Sequence, residues 1–208
     1  MSIVGYTNVL NFWFETVNLS SDLELNERWF RSTDEFDAEI RDKFEDTWRA
    51  AERGELDHWM EAPDSCLALI VLMDQFPRNM FRGTGTAYAT DERARRAARR
   101  VRDEGWDHKF GRRFLTFAYL PFEHSENIAD QELSVALMDG FGEERAIKAA
   151  YEHLEAIRRF GRFPHRNAPL GRKSTAEELE YLKDPPRWGK SAIKNVNPDY
   201  QNPAKADG

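Results

Sequence analysis

Two stretches of the chain carry residues suited to binding an anion. They are 76–83 and 159–167, and each contains Phe-Pro followed by a basic residue and an asparagine. The planar guanidinium of arginine binds both oxygens of a carboxylate or phosphate at once. We therefore predict an anion-binding corner, made by Arg78, Arg82, Arg162, His165 and Arg166 and held in place by Asp74, Gln75, Asn79 and Asn167. A plainer interpretation stays open, because cations and asparagine also favour the C-terminal ends of helices.

Asp74 stands near the end of the most apolar stretch of the chain. A negative charge is disfavoured there, both by the helix dipole and by burial, unless it is paired. The sequence therefore predicts a cationic partner for Asp74, either Arg78 four residues later or an arginine of the second stretch. Such a pair is compatible with a structural salt bridge as well as with a binding site.

The segment 120–132 offers a second kind of chemistry. His124 is followed by Glu126 and Asp130, which share one face of a helix four residues apart, where like charges repel. A histidine beside a carboxylate is suited to acid–base catalysis, with His165 as the other candidate base. These are also ligand types for a divalent cation, but their spacing matches no established metal signature, so we assign no metal and no cofactor. The alternative is a neutral histidine capping a helix with solvated acids behind it.

The composition excludes several classes of protein. The 208 residues carry a net charge of -7, which argues against sequence-independent nucleic-acid binding. Hydrophobic residues make up 40% and aromatic residues 12%, which is too much for a disordered chain. The longest apolar run, 67–73, is too short to cross a membrane. There is 1 cysteine, Cys66, so we predict a reducing, cytoplasmic location.

The spacing of apolar residues predicts an all-α fold of about eight to ten antiparallel helices. Pro77 and Pro121 should each end a helix, because proline disfavours helical geometry in the residue before it. A capping box is expected near Ser174 and Thr175. We predict one helical domain over 1–184 and an extended tail over 185–208. The predicted helices are 8–17, 40–51, 65–76, 90–104, 110–120, 127–138, 143–160 and 174–183.

Three motifs in this order resemble one bacterial family, the domain of unknown function 924. They are Asp-Gln-Phe-Pro-Arg-Asn at 74–79 with Phe-Arg-Gly-Thr at 81–84, Leu-Pro-Phe-Glu-His-Ser-Glu at 120–126, and Arg-Phe-Gly-Arg-Phe-Pro-His-Arg-Asn at 159–167. The resemblance covers roughly residues 9–182. It implies a tetratricopeptide-like, right-handed superhelix of helical pairs and implies no activity.

Three functions follow from these residues. The first is a helical array whose arginine-rich pocket binds a small anionic ligand or an acidic peptide end. The second is a hydrolase that uses His124 or His165 with Glu126 or Asp130, with or without a metal. The third is a scaffold in which the arginines and acids only tie helices together. The oligomeric state is not predicted.

Overall fold

The computed structural model describes residues 2–21, 23–29 and 33–189. Within them the chain forms helices and turns and no strand, which confirms the all-α class; the tetratricopeptide-like superhelix stays a prediction. None of the described helices is long and apolar enough to span a bilayer. The α-helices are α1 Tyr6–Phe14, α2 Asp34–Glu52, α3 Pro63–Ile70, α4 Phe76–Met80, α5 Asp91–Asp103, α6 Arg112–Glu123, α7 Ile128–Phe141, α8 Glu144–Phe160 and α9 Ala176–Tyr181.

Helix α3 lies at the centre of the fold, as its apolar sequence predicts. Its residues from Ser65 to Ile70 are all buried, and it packs against α1, α5 and α6. A cluster of aromatic rings fills the space beside it, where Phe76 contacts Phe12, Trp13 and Phe44 with ring centroids 4.7–5.9 Å apart. Buried aromatic contacts of this kind provide much of a core's stability.

The prediction that Pro77 ends the central helix is wrong. The helix continues from α3 through a π-helical turn, Val71–Gln75, into α4. Proline has no N–H to donate to the carbonyl of Met73, four residues earlier. The buried hydroxyl of Thr90 donates to that carbonyl instead, at 2.6 Å, so the backbone acceptor is satisfied by the residue that precedes α5. The π turn contains Asp74, and such turns often occur at functional sites.

The prediction that Pro121 ends the next helix is also wrong. Helix α6 runs through Pro121 to Glu123, and the N–H of His124 still donates to the carbonyl of Leu120 at 2.9 Å. The extra turn buries Phe122 completely, and this burial favours continuing the helix. As a result Glu123 lies in the last turn of α6, and His124 is its C-terminal cap.

The start of the predicted tail packs against the domain. The Trp188 ring stacks on His153 of α8, with centroids 3.8 Å apart and planes 22° apart. Its indole N–H donates to Glu152 at 3.2 Å. The rest of the predicted tail, 190–208, lies outside the described residues.

Candidate functional site

Asp74 is the most deeply buried acid of the site. Arg78 lies 3.3 Å from its Oδ1, and the Gln75 side chain donates to its Oδ2 at 2.6 Å. Burial raises the pKa of Asp74, but Arg78 and His124 outweigh burial and hold this pKa below its usual value. Asp74 is therefore an ionised carboxylate with no exposed surface, and its predicted cationic partner is Arg78.

Two arginines from the two predicted stretches meet at one further acid, Asp91 at the start of α5. Arg78 approaches Asp91 at 2.9 Å, and Arg166 donates to it at 3.1 Å. Both guanidinium groups also lie over the Tyr88 ring, 5.8 and 4.5 Å from its centroid. We call Asp74, Arg78, Asp91 and Arg166 the buried ion network. Its two acids and two arginines balance in charge.

His124 lies directly against this network. Its Nδ1 is 2.8 and 3.0 Å from the two carboxylate oxygens of Asp74. Because an ionised carboxylate only accepts, Nδ1 carries the proton and Nε2 keeps a lone pair. Burial, with help from Arg78, lowers the pKa of His124, which favours the neutral imidazole. The side chain of His124 is 15% exposed, against 1% for that of Asp74, so His124 is the member of this pair that contacts solvent.

Two further residues, Glu123 and His153, lie beside His124 and were not among the predicted site residues. Glu123 is buried beside His124, and its Oε1 lies 3.4 Å from Nδ1 of His153. Burial, together with Asp74, raises the pKa of Glu123 to about 8. Within the described part of the chain, its Oε2 has no hydrogen-bond partner. Burying a carboxyl oxygen without a hydrogen-bond partner costs free energy. Glu123 is therefore a candidate ligand-binding residue.

His165 packs against aromatic rings, and the structure shows no contact between it and Asp74. Its ring contacts Phe163 and Trp188, with centroids 5.6 and 5.3 Å away. Burial, followed by the charge of Arg166, lowers the pKa of His165 well below its usual value. Its Nδ1 lacks a hydrogen-bond partner among residues 2–21, 23–29 and 33–189.

Two residues of the predicted corner bind elsewhere. Arg82 donates to both carboxylate oxygens of Asp37 on α2, at 2.9 and 3.0 Å, and Asn79 donates to the same group at 2.7 Å. These contacts join α4 and the residues after it to α2. These hydrogen bonds explain the positions of the Arg82 and Asn79 side chains without a bound ligand.

Two predicted site residues of the second stretch, Arg162 and Asn167, also have partners outside the buried ion network. Arg162 donates to both oxygens of Glu178 on α9, at 2.7 and 2.8 Å. Asn167 donates to Ser174 at 3.1 Å and accepts from Arg172 at 3.0 Å. Glu178 also forms the predicted capping box with Thr175. Arg162 and Asn167 therefore fix α9 and the loop before it.

Replacing Glu178 by Gln is expected to lower the free energy of unfolding by about 1–3 kcal/mol at pH 7, since the carboxylate accepts charge-assisted bonds. Its hydrogen bonds to Arg162 lower the pKa of Glu178 from 4.5 to about 2. This stabilisation is complete above pH 4.5 and is lost as the pH falls toward 2. Denaturant titrations at pH 7 and pH 3 should show the difference shrinking, whereas the exposed Glu177→Gln changes stability little at either pH. An equal effect at both would contradict the assignment.

The two acids predicted to assist His124 have other partners. Glu126 accepts from both terminal nitrogens of Arg172, at 2.7 and 2.9 Å, and from the backbone N–H of Phe163 at 2.8 Å. Asp130 accepts from Arg99 and from Ser125, each at 2.8 Å. The acids that contact or adjoin His124 are Asp74 and Glu123 instead.

Two surface clefts lie apart from this cluster. One, of about 510 Å³, lies between α8, α9 and 184–187 and includes Glu152, which bonds Trp188. The other, of about 480 Å³, lies beside Met60 and the arginines of α5. Neither is lined by Arg78, Arg82, Arg162 or Arg166.

Comparisons with known proteins give a family and a fold relative. The sequence matches the bacterial proteins of unknown function DUF924 over residues 9–186. A solved structure of a protein of unknown function from Agrobacterium tumefaciens is similar to this one, with a TM-score of 0.78 and 40% sequence identity. The match covers 86% of this chain and 97% of that one. Among curated proteins none matches.

Proposed function

The chain belongs to the bacterial family of unknown function DUF924, and for this member we propose a hydrolase that acts on a small anionic substrate. His124 is the acid–base group and Asp74 the residue that positions it. The observation that carries the proposal is the contact of His124 Nδ1 with both carboxylate oxygens of the buried Asp74. This contact fixes the tautomer and leaves the lone pair of Nε2 for a proton from water.

Water is the nucleophile in this proposal. Cys66 is buried, and burial raises the pKa of its thiol to about 12, which is unsuited to attack. The Ser125 hydroxyl is also buried and donates to Asp130. In the reaction, Nε2 of His124 takes a proton as the water oxygen bonds to the acyl or phosphoryl centre. The bond to the leaving group then breaks, and the proton passes from the imidazolium to that group.

The anionic character of the substrate is inferred from Arg78. Its side chain is 19% exposed and lies beside Asp74, so it is the member of the buried ion network most open to solvent. A carboxylate or phosphate on the substrate would meet its guanidinium next to the imidazole of His124. Gln75 would hold the Asp74 carboxylate, and Arg166 would share Asp91 with Arg78. We also propose that the protein is cytoplasmic, because a chain with 1 cysteine forms no internal disulfide and suits a reducing compartment. Cell fractionation tests this location.

The test is a panel of p-nitrophenyl carboxylic and phosphoric esters, with and without a second anionic group. We expect at least one anionic ester to be hydrolysed. His124→Gln should reduce kcat by about 100-fold, the lower end of what general acid–base groups contribute. The matched control is His58→Gln, since His58 is exposed and far from the cluster in the sequence. Melting temperatures of all three proteins establish that each is folded.

Two results would contradict the proposal. One is hydrolysis at the same rate by His124→Gln and the unaltered chain. The other is the lack of any ester that the unaltered chain hydrolyses faster than His124→Gln does. In either case the cluster serves only to hold helices together, as the third sequence-based hypothesis predicts.

A further inference from the structure

We infer that Glu123, His124 and His153 bind one divalent transition-metal ion, and we call these residues the ligand triad. The inference rests on the proposed hydrolase and changes its first step, because Nε2 of His124 cannot both bind a metal ion and take a proton from water. One potential ligand atom of each residue lies within 4.8 Å of the other two. Ligand atoms around a tetrahedral zinc ion are separated by roughly 3.3 Å, so side-chain movements of about 1 Å would close the set.

The hydrogen bonds behind both histidines fit metal binding. Nδ1 of His124 donates to the carboxylate of Asp74, and Nδ1 of His153 is 2.8 Å from the carbonyl oxygen of Ala149. A carbonyl only accepts, so here too Nδ1 carries the proton and Nε2 has the lone pair. Histidine ligands of metals usually donate their other N–H to a carboxylate or a backbone carbonyl in this way. Trp188 stacks on His153 and restrains its ring.

The charges of the cluster also favour a cation. The buried ion network is balanced by itself, with two acids and two arginines. Glu123 is buried outside this network, and its Oε2 has no partner in the described structure. A bound cation would give this oxygen a partner and stabilise the ionised carboxylate.

Two imidazoles and one carboxylate are typical ligands of zinc and of other divalent transition metals, whereas magnesium prefers oxygen ligands. Three protein ligands leave a fourth position for water, which is the arrangement of a catalytic rather than a structural site. His124 is the partly exposed member, so the open position would be reached from its side. With Nε2 of His124 bound to the metal, the metal ion would replace the imidazole in activating the water, because it would lower the pKa of the bound molecule.

The experiment uses the full chain treated with EDTA and then dialysed against Zn²⁺, with bound zinc measured directly. We expect one zinc per chain. Glu123→Gln keeps the shape of the side chain and loses its charge, and it should weaken zinc binding by at least about 100-fold, as should His153→Gln. Asp74→Asn should weaken it by about 10- to 100-fold through its effect on His124. His58→Gln should bind zinc as the unaltered chain does, and Mg²⁺ should not compete.

The outcome is separable from that of the proposed function, since binding is measured without a substrate. Less than one zinc per chain, or unchanged affinity in both Glu123→Gln and His153→Gln, overturns the metal site. Zinc-dependent melting temperatures of the variants show whether a loss of binding is only a loss of folding. Zinc binding without hydrolysis of any ester would retain the metal site and reject the hydrolase. Hydrolysis that persists after EDTA treatment and in Glu123→Gln would reject the metal site and retain the hydrolase.

Discussion

Asp74→Asn is expected to lower the free energy of unfolding by about 3–5 kcal/mol, the usual effect of removing one partner from a buried ion pair. The carboxylate has no exposed surface and contacts Arg78, Gln75 and His124. Asparagine has nearly the same shape, so the loss comes from charge rather than from packing. Two buried arginines would then face Asp91 alone. Urea or guanidinium titration of the purified variant measures this.

The matched control is Asp103→Asn at the end of α5, because Asp103 is exposed. Exposed substitutions of this kind usually change stability by less than about 0.5 kcal/mol. If Asp74→Asn costs no more than Asp103→Asn, the charge of Asp74 does not stabilise the fold. The buried ion network would then have no structural role that depends on charge balance.

Much of the fold follows from the sequence because local signals agree with the tertiary structure. The spacing of Ile40, Phe44 and Trp48 predicts the buried face of α2, and all three are buried. The capping box predicted near Thr175 is present. Where the predictions are wrong, the deciding contact comes from a distant residue. Nothing near Pro77 indicates that Thr90 will supply the hydrogen bond that the proline cannot.

The site follows from the sequence only in part, for the same reason. The burial penalty on Asp74 predicts a cation, and Arg78 is that cation. The sequence does not reveal which distant arginine joins them; in the described part of the chain it is Arg166, through Asp91. Arg82 and Arg162 belong to the same two stretches but bond to acids on α2 and α9, whose positions depend on the whole fold.

The sequence positions of Glu123 and His153 indicate burial, which could have identified both as candidate site residues. His153 lies three residues after Ala150 and one before Leu154, on the face of α8 that is buried. Glu123 directly precedes His124 in a stretch rich in buried aromatic residues. A buried acid and a buried histidine both require partners. That they face each other, however, depends on how α8 packs against α6.

Arg166→Met is also expected to lower the free energy of unfolding by about 3–5 kcal/mol, because it removes a buried positive charge and leaves the acids with one arginine. It would leave Asp74 and Asp91 to share Arg78 and would remove the hydrogen bond from Arg166 to the backbone carbonyl of His124 at 2.9 Å. Burial lowers the pKa of Arg166, which means that burying its positive charge is itself unfavourable. Removing that charge therefore offsets part of the lost stability. Arg158→Met is the control, since the ion pair of Arg158 with Glu132 is exposed.

The double variant Asp74→Asn, Arg166→Met separates charge balance from individual contacts. One acid and one arginine, Asp91 and Arg78, would remain, so the network would again be neutral. We expect the double variant to be more stable than the sum of the two single losses predicts, by about 1–3 kcal/mol, which is the range of coupling between interacting sites. Strict additivity in urea titrations would mean that the two charges do not interact. In that case Arg166 stabilises the fold through its contacts with Tyr88 and Phe163 rather than through its charge.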